Sequence, residues 1–264
     1  CSRHQAEASS LTNHGVRFYN KGRIADAVRQ FEQAITLTPD FAPAHYNLGI
    51  VYTQGKGDNT KALKPLLRAT DLDPGHDGSW YELGKCNLAL GNLDDAGAAF
   101  KKALNLNRYH APTLYQLGLL AEKMGDLVGA DSYYRKGIVA KPTDPTPYVA
   151  LAEVYELAGY PDEAEAVFRE GLRLNSKNGA LFHGLGVLLV RSGRPDEGTK
   201  NLREALALDS DLIKTHFNLA VAYLRRGEIK RARFQLQRFL SRQDSDVIRP
   251  EVLQTARDTL KRLP

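Results

Sequence analysis

Small and large apolar residues recur along the chain with a period of 34 residues, with one step of 35 between Gly49 and Gly84. The first small series is Gly15, Gly49, Gly84, Gly118, Ala152, Gly186 and Ala220. The second is Ala27, Ala62, Ala96, Ala130, Ala164, Gly198 and Ala232, and the third is Ala34, Ala69, Ala103, Gly137, Gly171 and Ala205, which breaks at Phe239. A series of large residues keeps the same period: Phe31, Leu66, Phe100, Tyr134, Phe168, Leu202 and Leu236. Four series with one period indicate an internal repeat.

Each repeat predicts a hairpin of two helices. A large residue stands four places before each member of the first small series, and spacings of three and four put these residues on one helical face. These large residues are Leu11, His45, Trp80, Leu114, Tyr148, Phe182 and His216. The small residues let two helix backbones approach closely, while the bulky residues fill the volume beside them. Sheet is excluded because no long alternation of period two occurs.

Glycine and proline mark the predicted helix ends. Glycines that suit a positive φ fall between the two helices of six repeats, at Gly22, Gly91, Gly125, Gly159, Gly193 and Gly227. In the second repeat Gly55 and Gly57 flank this position, so we expect the extra residue of the 35-residue step there. Pro39, Pro74 and Pro142 are expected to stop the second helix of their repeats.

This succession of large, small, aromatic, alanine, aromatic, alanine and proline positions resembles the tetratricopeptide repeat. The resemblance covers residues 8–246 as seven repeats, 8–41, 42–76, 77–110, 111–144, 145–178, 179–212 and 213–246. The departures are His45 and His216 for a large apolar residue, Asn87 for an aromatic residue, and Arg108, Ser176, Ser210 and Asp244 for the proline. The resemblance implies an all-α fold, an α-solenoid of seven helical hairpins wound as a right-handed superhelix.

The two ends lie outside this pattern. Residues 1–7 are polar and predict a short N-terminal tether. Residues 247–264 predict a C-terminal capping helix, with Val252, Ala256, Leu260 and Leu263 at helical spacing. Repeat arrays need such a cap to stay soluble. Phe239, where a small residue is expected, predicts that the last hairpin packs differently.

The resemblance also implies that the first helices line a concave groove, with two side chains of each repeat directed into it. Aromatic residues at these positions are efficient binding anchors, and amides there hydrogen-bond a peptide backbone. We predict a partner-binding groove formed by Tyr46, Asn47, Tyr81, Tyr115, Gln116, His183, Phe217 and Asn218. The series of amides breaks at Ala150 and Gly184. The alternative is that these tyrosines reflect only a common choice of the family at that position.

Family members that clamp a chaperone's C-terminal carboxylate use lysine and asparagine in the groove. Thr12 and Val16 occupy the corresponding positions here, which disfavours this type of binding. The expected partner is a peptide segment or helix of another protein.

Basic residues are concentrated towards the C-terminus. From Leu212 onward twelve Lys or Arg stand against five Asp or Glu, a net +7 in a chain whose total is +5. The predicted basic patch consists of Lys214, Arg225, Arg226, Lys230, Arg231 and Arg233. Such a patch suits an acidic protein, anionic headgroups or nucleic acid. The alternative is a solvated face, and nucleic acid is disfavoured because no nucleic-acid-binding motif accompanies the patch.

Cys1 suggests processing of a bacterial lipoprotein, whose mature chain begins with the lipid-carrying cysteine. Ser2 resembles an outer-membrane address. We therefore expect a lipid on Cys1 that places the protein at the outer membrane, facing the periplasm. The alternative is a fragment of a longer cytoplasmic protein.

The sequence predicts neither an enzyme nor a metal or cofactor site. Cys86 is expected to be a buried small residue, and the histidines are scattered over different repeats. No nucleophile, base and oxyanion group can be assembled. We predict an interaction scaffold, in general layout similar to pilotin lipoproteins that assist assembly of an envelope complex. The alternatives are the recruiting region of a larger cytosolic enzyme and a free cytosolic adaptor.

Overall fold

The computed structural model describes residues 3–241 and 249–263, which form fifteen α-helices and no strand. The helices are α1 Arg3–Asn20, α2 Ile24–Leu37, α3 Ala42–Ile50, α4 Asn59–Leu72, α5 Asp77–Leu90, α6 Leu93–Leu106, α7 Ala111–Lys123, α8 Leu127–Ala140, α9 Thr146–Ala158, α10 Pro161–Leu174, α11 Gly179–Arg191, α12 Pro195–Leu208, α13 Ile213–Arg225, α14 Ile229–Ser241 and α15 Pro250–Arg262. Odd-numbered helices up to α13 are the first helices of the repeats, and even-numbered helices are the second. The predicted all-α fold of helical hairpins with a terminal helix is confirmed.

The chain divides into two compact units, Cys1–Gly129 and Ala130–Pro264. We refer to them as the first unit and the second unit. In the first unit α1 packs on α2, α3 on α4 and α5 on α6. In the second unit α9 packs on α10, α11 on α12 and α13 on α14, and α15 packs on α14.

The two helices of a hairpin approach each other where a glycine of the first faces a bulky residue of the second. A Cβ added at Gly84 would lie 2.5 Å from the ring of Phe100, and one added at Gly15 would lie 2.5 Å from the ring of Phe31. Both rings are fully buried. Only glycine fits at this separation, which confirms the predicted pairing of small and bulky residues.

The turns inside the hairpins use glycine in the left-handed region. The positive-φ residues are Gly22, Gly57, Gly91, Gly125, Gly159, Gly193 and Gly227, with φ between 66° and 84°. The six positions predicted from the sequence are confirmed, and Gly57 supplies the seventh. Second helices end two residues before Pro39, Pro74 and Pro142.

The extra residue of the second repeat is absorbed by a π-helical turn. α3 continues into this turn over Val51–Gly55. The amide of Asp58 then reaches back to the carbonyl of Tyr52 at 2.8 Å. A π turn accommodates one additional residue without breaking the helix, so the following hairpin keeps its position in the repeat.

A recurrent hydrogen bond links the large first-helix residue to the proline six residues earlier. The Trp80 indole N–H donates to the Pro74 carbonyl at 2.9 Å, and the Tyr148 hydroxyl donates to the Pro142 carbonyl at 3.1 Å. His45 Nε2 lies 2.7 Å from the Pro39 carbonyl. His45 therefore replaces a larger residue without losing this bond.

The predicted N-terminal tether is wrong for residues 3–7, because α1 begins at Arg3. Arg3, Gln5, Ala6 and Glu7 include good helix formers, so the helix extends more than one turn beyond the first buried residue. That residue is Ala8, which packs in a cluster of buried alanines. Residues 1 and 2 lie outside the described part of the chain.

α15 lies within the segment predicted to form a cap. Its buried residue, Ala256, joins a cluster with Leu236 and Phe239. The Phe239 ring is fully buried and lies 5.4 Å from the ring of Phe217. The large residue at this position therefore fills the space between the last hairpin and the additional helix, which accounts for the break in the small series.

Replacing Gly84 with alanine is expected to lower the free energy of unfolding by about 2 kcal/mol. The new methyl group would overpack against Phe100, at a cost of up to about 3 kcal/mol. Better helix propensity offsets about 1 kcal/mol of this. Urea denaturation followed by circular dichroism measures the change.

Gly75→Ala is the matched control, because its added Cβ would meet nothing closer than 3.6 Å. An equal stability of G84A and the wild type would contradict the close approach of α5 and α6.

Candidate functional site

A groove crosses the first helices of the second unit. It has a volume of about 930 Å³ and is lined mainly by apolar atoms. Its residues come from α9, the α10 residue Phe168, α11, the turn before α13 and the first half of α13. They are Val149, Glu153, Glu156, Leu157, Phe168, Ala180, His183, Gly184, Val187, Arg191, Asp211, Leu212, Ile213, Lys214, Thr215 and Asn218. We call this surface the α11 groove, because α11 runs along its centre.

Helical spacing brings these residues onto one surface. On α11, Ala180, Gly184, Val187 and Arg191 follow one another at steps of three or four residues. Such residues share one helical face. The groove therefore follows this face of α11 along most of its length.

The floor of the α11 groove is built on a close contact between Gly184 and Phe168. A Cβ at Gly184 would lie 2.4 Å from the Phe168 ring. Since the ring fills the space where a side chain would stand, the surface above it stays open. Leu157, at the rim, has 71% of its surface exposed to solvent. Burial of such apolar surface by a partner is favourable.

Charged residues stand at both ends of the α11 groove. Where α9 ends, Glu156 forms an ion pair with Arg191, with Nη1 and Oε2 2.9 Å apart, and Glu153 lies one turn earlier. Where α13 begins, the groove is lined by Asp211 and Lys214. The first end carries a net charge of −1 and the second a net charge of zero.

His183 lies in the middle of the groove and is held by a neighbouring repeat. Its Nδ1 is 2.7 Å from the Thr215 hydroxyl. Burial lowers the pKa of His183 to about 4, and the positive charge of Lys214 acts in the same direction. The ring is therefore neutral at pH 7, and it offers hydrogen bonding without charge.

The predicted residues Tyr46 and Tyr81 are half-buried, each against the histidine at the end of its own repeat. Tyr46 meets His76 edge-on at 4.9 Å, and Tyr81 meets His110 edge-on at 5.1 Å. Burial, together with the negative charge of Glu82, raises the pKa of both tyrosines. Both hydroxyls therefore stay protonated, and much of each ring already packs against the protein.

The other predicted residues of the first unit are placed less favourably for binding. The Asn47 amide donates to the Pro43 carbonyl on its own helix at 2.7 Å. Tyr115 and Gln116 are half-buried on α7. Glu82, which follows Tyr81, is buried and paired with Lys85, with Oε2 and Nζ 3.1 Å apart.

In the second unit the predicted residues separate into two places. His183 and Asn218 line the α11 groove. Phe217 instead packs on Phe239 beneath the terminal helix and borders a small depression of about 250 Å³. The two neighbouring residues of α13 thus serve different surfaces.

The residues of the predicted basic patch are spread along the last hairpin, and most of them have intramolecular partners. Lys214 and Arg225 stand at opposite ends of α13, about 16 Å apart along the helix. Arg226 pairs with Asp196 at 2.9 Å and with Glu228 at 2.8 Å, and the Arg233 guanidinium donates to the Leu263 carbonyl at 2.6 Å. Two further contacts bind Arg225 to the Val190 carbonyl and Arg231 to Glu228. Lys230 is exposed. These intramolecular contacts, invisible in a charge count, engage most of the patch.

A second groove, of about 840 Å³, lies in the first unit between the second helices α2 and α4. Leu63, Leu67 and Pro65 of α4 line it, and an ion pair between Arg68 and Asp40 lies at its edge. None of the predicted site residues borders it.

Cys86 is buried as predicted, and its thiol lies 3.2 Å from the Asn59 carbonyl. Burial raises the pKa of this thiol to about 11, so it stays protonated. Within the described ranges no group of three or more His, Cys, Asp or Glu could hold a metal ion. No helix in the same ranges is long and apolar enough to cross a membrane. Cys1 lies outside the described residues.

Sequence reasoning missed the groove residues one or two turns beyond the predicted positions. These are Glu153, Glu156, Val187 and Arg191. Their signal is the spacing of three and four residues from Val149 and His183. The predicted groove contains two positions per repeat, whereas the observed groove extends further along the same helical faces.

Helical hairpins with glycine turns, small residues at the helix contacts and an open groove on the first helices define a helical-repeat scaffold. Family models described as TPR repeat or tetratricopeptide repeat match residues 15–55, 54–111, 111–144, 145–170 and 183–246. The chain belongs to the tetratricopeptide-repeat family. It is a scaffold for protein–protein interaction.

Among curated proteins, the chain is similar to the mitochondrial import receptor subunit TOM70 of Rattus norvegicus. The two are 30% identical over 80 residues, which are 30% of this chain and 13% of that protein. The match therefore covers only a small part of the relative.

Among solved structures, a tetratricopeptide repeat protein from Parabacteroides merdae has a TM-score of 0.71 at 17% identity. That similarity covers 97% of this chain and 98% of the other. The MamA protein has a TM-score of 0.60 at 27% identity, covering 65% of this chain and 93% of its own. The first similarity supports the fold alone.

Acidification is expected to destabilise the protein through His183. Its pKa in the folded state, about 4, lies below the value of about 6.5 for an exposed histidine. The unfolded state therefore binds more protons between these values, and stability falls as the pH falls from 6.5 to 4. The contribution is about 2 to 3 kcal/mol.

Urea titrations of the wild type and His183→Asn at pH 7 and pH 4.5 measure this contribution. The asparagine variant should lose less stability between the two pH values than the wild type. An NMR titration of the His183 ring with a midpoint near 6.5 would contradict the burial argument.

Proposed function

We propose that the chain binds a segment of a partner protein in the α11 groove and catalyses no reaction. The observation that carries the proposal is the groove itself, an open and largely apolar surface of about 930 Å³ on the first helices. Its volume is in the range of binding pockets, and a few polar groups stand among apolar ones, as recognition requires.

The rest of the groove supports binding by a rigid, preformed surface. Gly184 and Phe168 fix the floor, and the His183–Thr215 hydrogen bond ties α11 to α13. A surface that is already ordered loses little conformational entropy when a partner binds. The exposed Leu157 at the rim provides apolar area for the partner to cover.

Filling the groove is expected to abolish binding. Ala180 lines the groove and is exposed, so Ala180→Phe adds a ring there without overpacking the core. Benzoylphenylalanine at position 157 serves as a photo-crosslinker. In cells, a chain with this crosslinker and Ala180 intact should give an adduct with the partner. We expect at least a tenfold lower adduct yield in A180F.

Ala207→Phe is the matched control, because Ala207 is an exposed alanine on the second helix α12 and does not line the groove. Equal adduct yields from A180F and A207F, with both variants folded by circular dichroism, would sink the groove as the binding site.

We propose further that the scaffold is an accessory subunit of a membrane-associated complex in the bacterial envelope, anchored by a lipid on Cys1. Cys1 and Ser2, the residues that resemble an outer-membrane lipoprotein, support this role. Because α1 begins at Arg3, the lipidated residue would lie about 7 Å or less from the first helix. The anchor would then hold α1 close to the lipid surface.

The mass of the N-terminal peptide, taken from detergent-solubilised membranes, tests the anchor. A Cys1 with a diacylglyceryl group and an additional acyl chain is expected. An unmodified Cys1, or a peptide that continues upstream of it, would overturn the envelope role. Such a result would favour the recruiting region of a cytosolic protein.

A further inference from the structure

We infer that the α11 groove takes an amphipathic α-helix of the partner protein, and not an extended peptide. The N-terminal end of this helix lies against the end of α9, and its C-terminal end lies against the start of α13. The inference rests on the proposed function and names the class of partner segment.

The α11 groove offers few hydrogen-bonding groups for the backbone of a bound segment. Buried N–H and C=O groups need hydrogen-bond partners, and an extended peptide must find them in the groove. Ala150 and Gly184 occupy positions where other repeats of this chain carry Asn47 and Gln116. Among the described residues that line the groove, Asn218 is the one amide side chain.

The remaining central polar groups of the groove are already used in part. The His183 Nδ1 and the Thr215 hydroxyl hydrogen-bond each other at 2.7 Å. An extended peptide would therefore leave several backbone groups unpaired, each at a cost of about 1 to 3 kcal/mol. A helix satisfies its backbone internally and presents only side chains to the groove.

The size of the groove matches that of a short helix. From Ala180 to Arg191 it extends about 16 Å, which is the length of three helical turns. A helix of this length and about 11 Å in diameter, embedded to half its depth, occupies about 760 Å³. This volume is close to the 930 Å³ of the groove. The small residues Ala180 and Gly184 leave room for bulky side chains at helical spacing.

The charges at the two ends of the groove set the direction of the bound helix. The end with Glu153, Glu156 and Arg191 is net negative and coincides with the C-terminal, negative end of α9. The other end coincides with the positive end of α13, whose N-terminus has no side-chain cap. There Lys214 offsets the charge of Asp211. A helix whose positive N-terminus meets α9 is favoured at both ends.

Three synthetic peptides of 15 residues, which share the same amino-acid composition, test the inference. The first has leucines at helical spacing, lysines in its first turn, glutamates in its last turn and an i,i+4 lactam bridge on its polar face. The second exchanges the lysines and glutamates. The third carries the leucines at every second position, without a bridge, and so favours an extended conformation. Fluorescence anisotropy with the whole chain measures the affinities.

We expect the first peptide to bind at least tenfold more tightly than the third and several-fold more tightly than the second. A180F should weaken the first peptide at least tenfold, and A207F should leave it unchanged. Leu157→Lys is a second groove variant at an exposed position. It removes an apolar contact and repels the lysines of the first peptide, so it should also weaken that peptide at least tenfold. A nitroxide at the N-terminus of the first peptide should broaden the NMR amide signal of Glu156 and spare that of Lys214.

Tighter binding of the third peptide, or no binding of any peptide, would overturn the helix inference. Tighter binding of the second peptide, or broadening at Lys214, would overturn the direction. In these cases the proposed function would still be supported if a partner crosslinks at position 157 and A180F abolishes that crosslink. An adduct yield at position 157 that A180F leaves unchanged would overturn the proposed function itself.

Discussion

The packing of the first three hairpins depends on a side chain that is absent. At Gly15, Gly49 and Gly84 a Cβ would stand 2.5 Å from a bulky buried residue of the second helix. The two backbones can approach only because the first helix offers no side chain there. This contact sets the rotation of the first helix about its axis. It thereby decides which residues face the groove and which face the neighbouring helix.

Residue spacing explains how much of this structure could be predicted from the sequence. Helical faces, turn glycines and the terminal helix follow from spacing, because period and residue size report on local packing. The helical state of residues 3–7 could not be read this way, since polar residues at a helix end carry no periodic signal. The partners of Arg225 and Arg233 were also invisible, because contacts across helices depend on distances that spacing does not give. The groove was predicted in part, at His183 and Asn218.

Hydrogen bonds between large residues and proline carbonyls show how the repeat tolerates variation. The repeats that carry Pro39, Pro74 or Pro142 are followed by His45, Trp80 or Tyr148, each of which reaches the preceding proline carbonyl. Where Arg108 or Ser176 replaces the proline, the later residue is Leu114 or Phe182, which has no such donor. Each of the three prolines is therefore followed by a residue that can reach its carbonyl. In the last repeat His216 follows Ser210, and its Nδ1 instead lies 2.7 Å from Gln235 Oε1.

One repeat pattern thus gives two different surfaces. In the first unit the rings of Tyr46 and Tyr81 pack edge-on against the histidines that end their own repeats, so part of their surface is already used. In the second unit the α11 groove stays open above Phe168, beside Ala180 and Gly184. Since both units are built from the same kind of helical hairpin, the surface is set by a few first-helix side chains. Binding specificity in this scaffold can therefore change without any change in the fold.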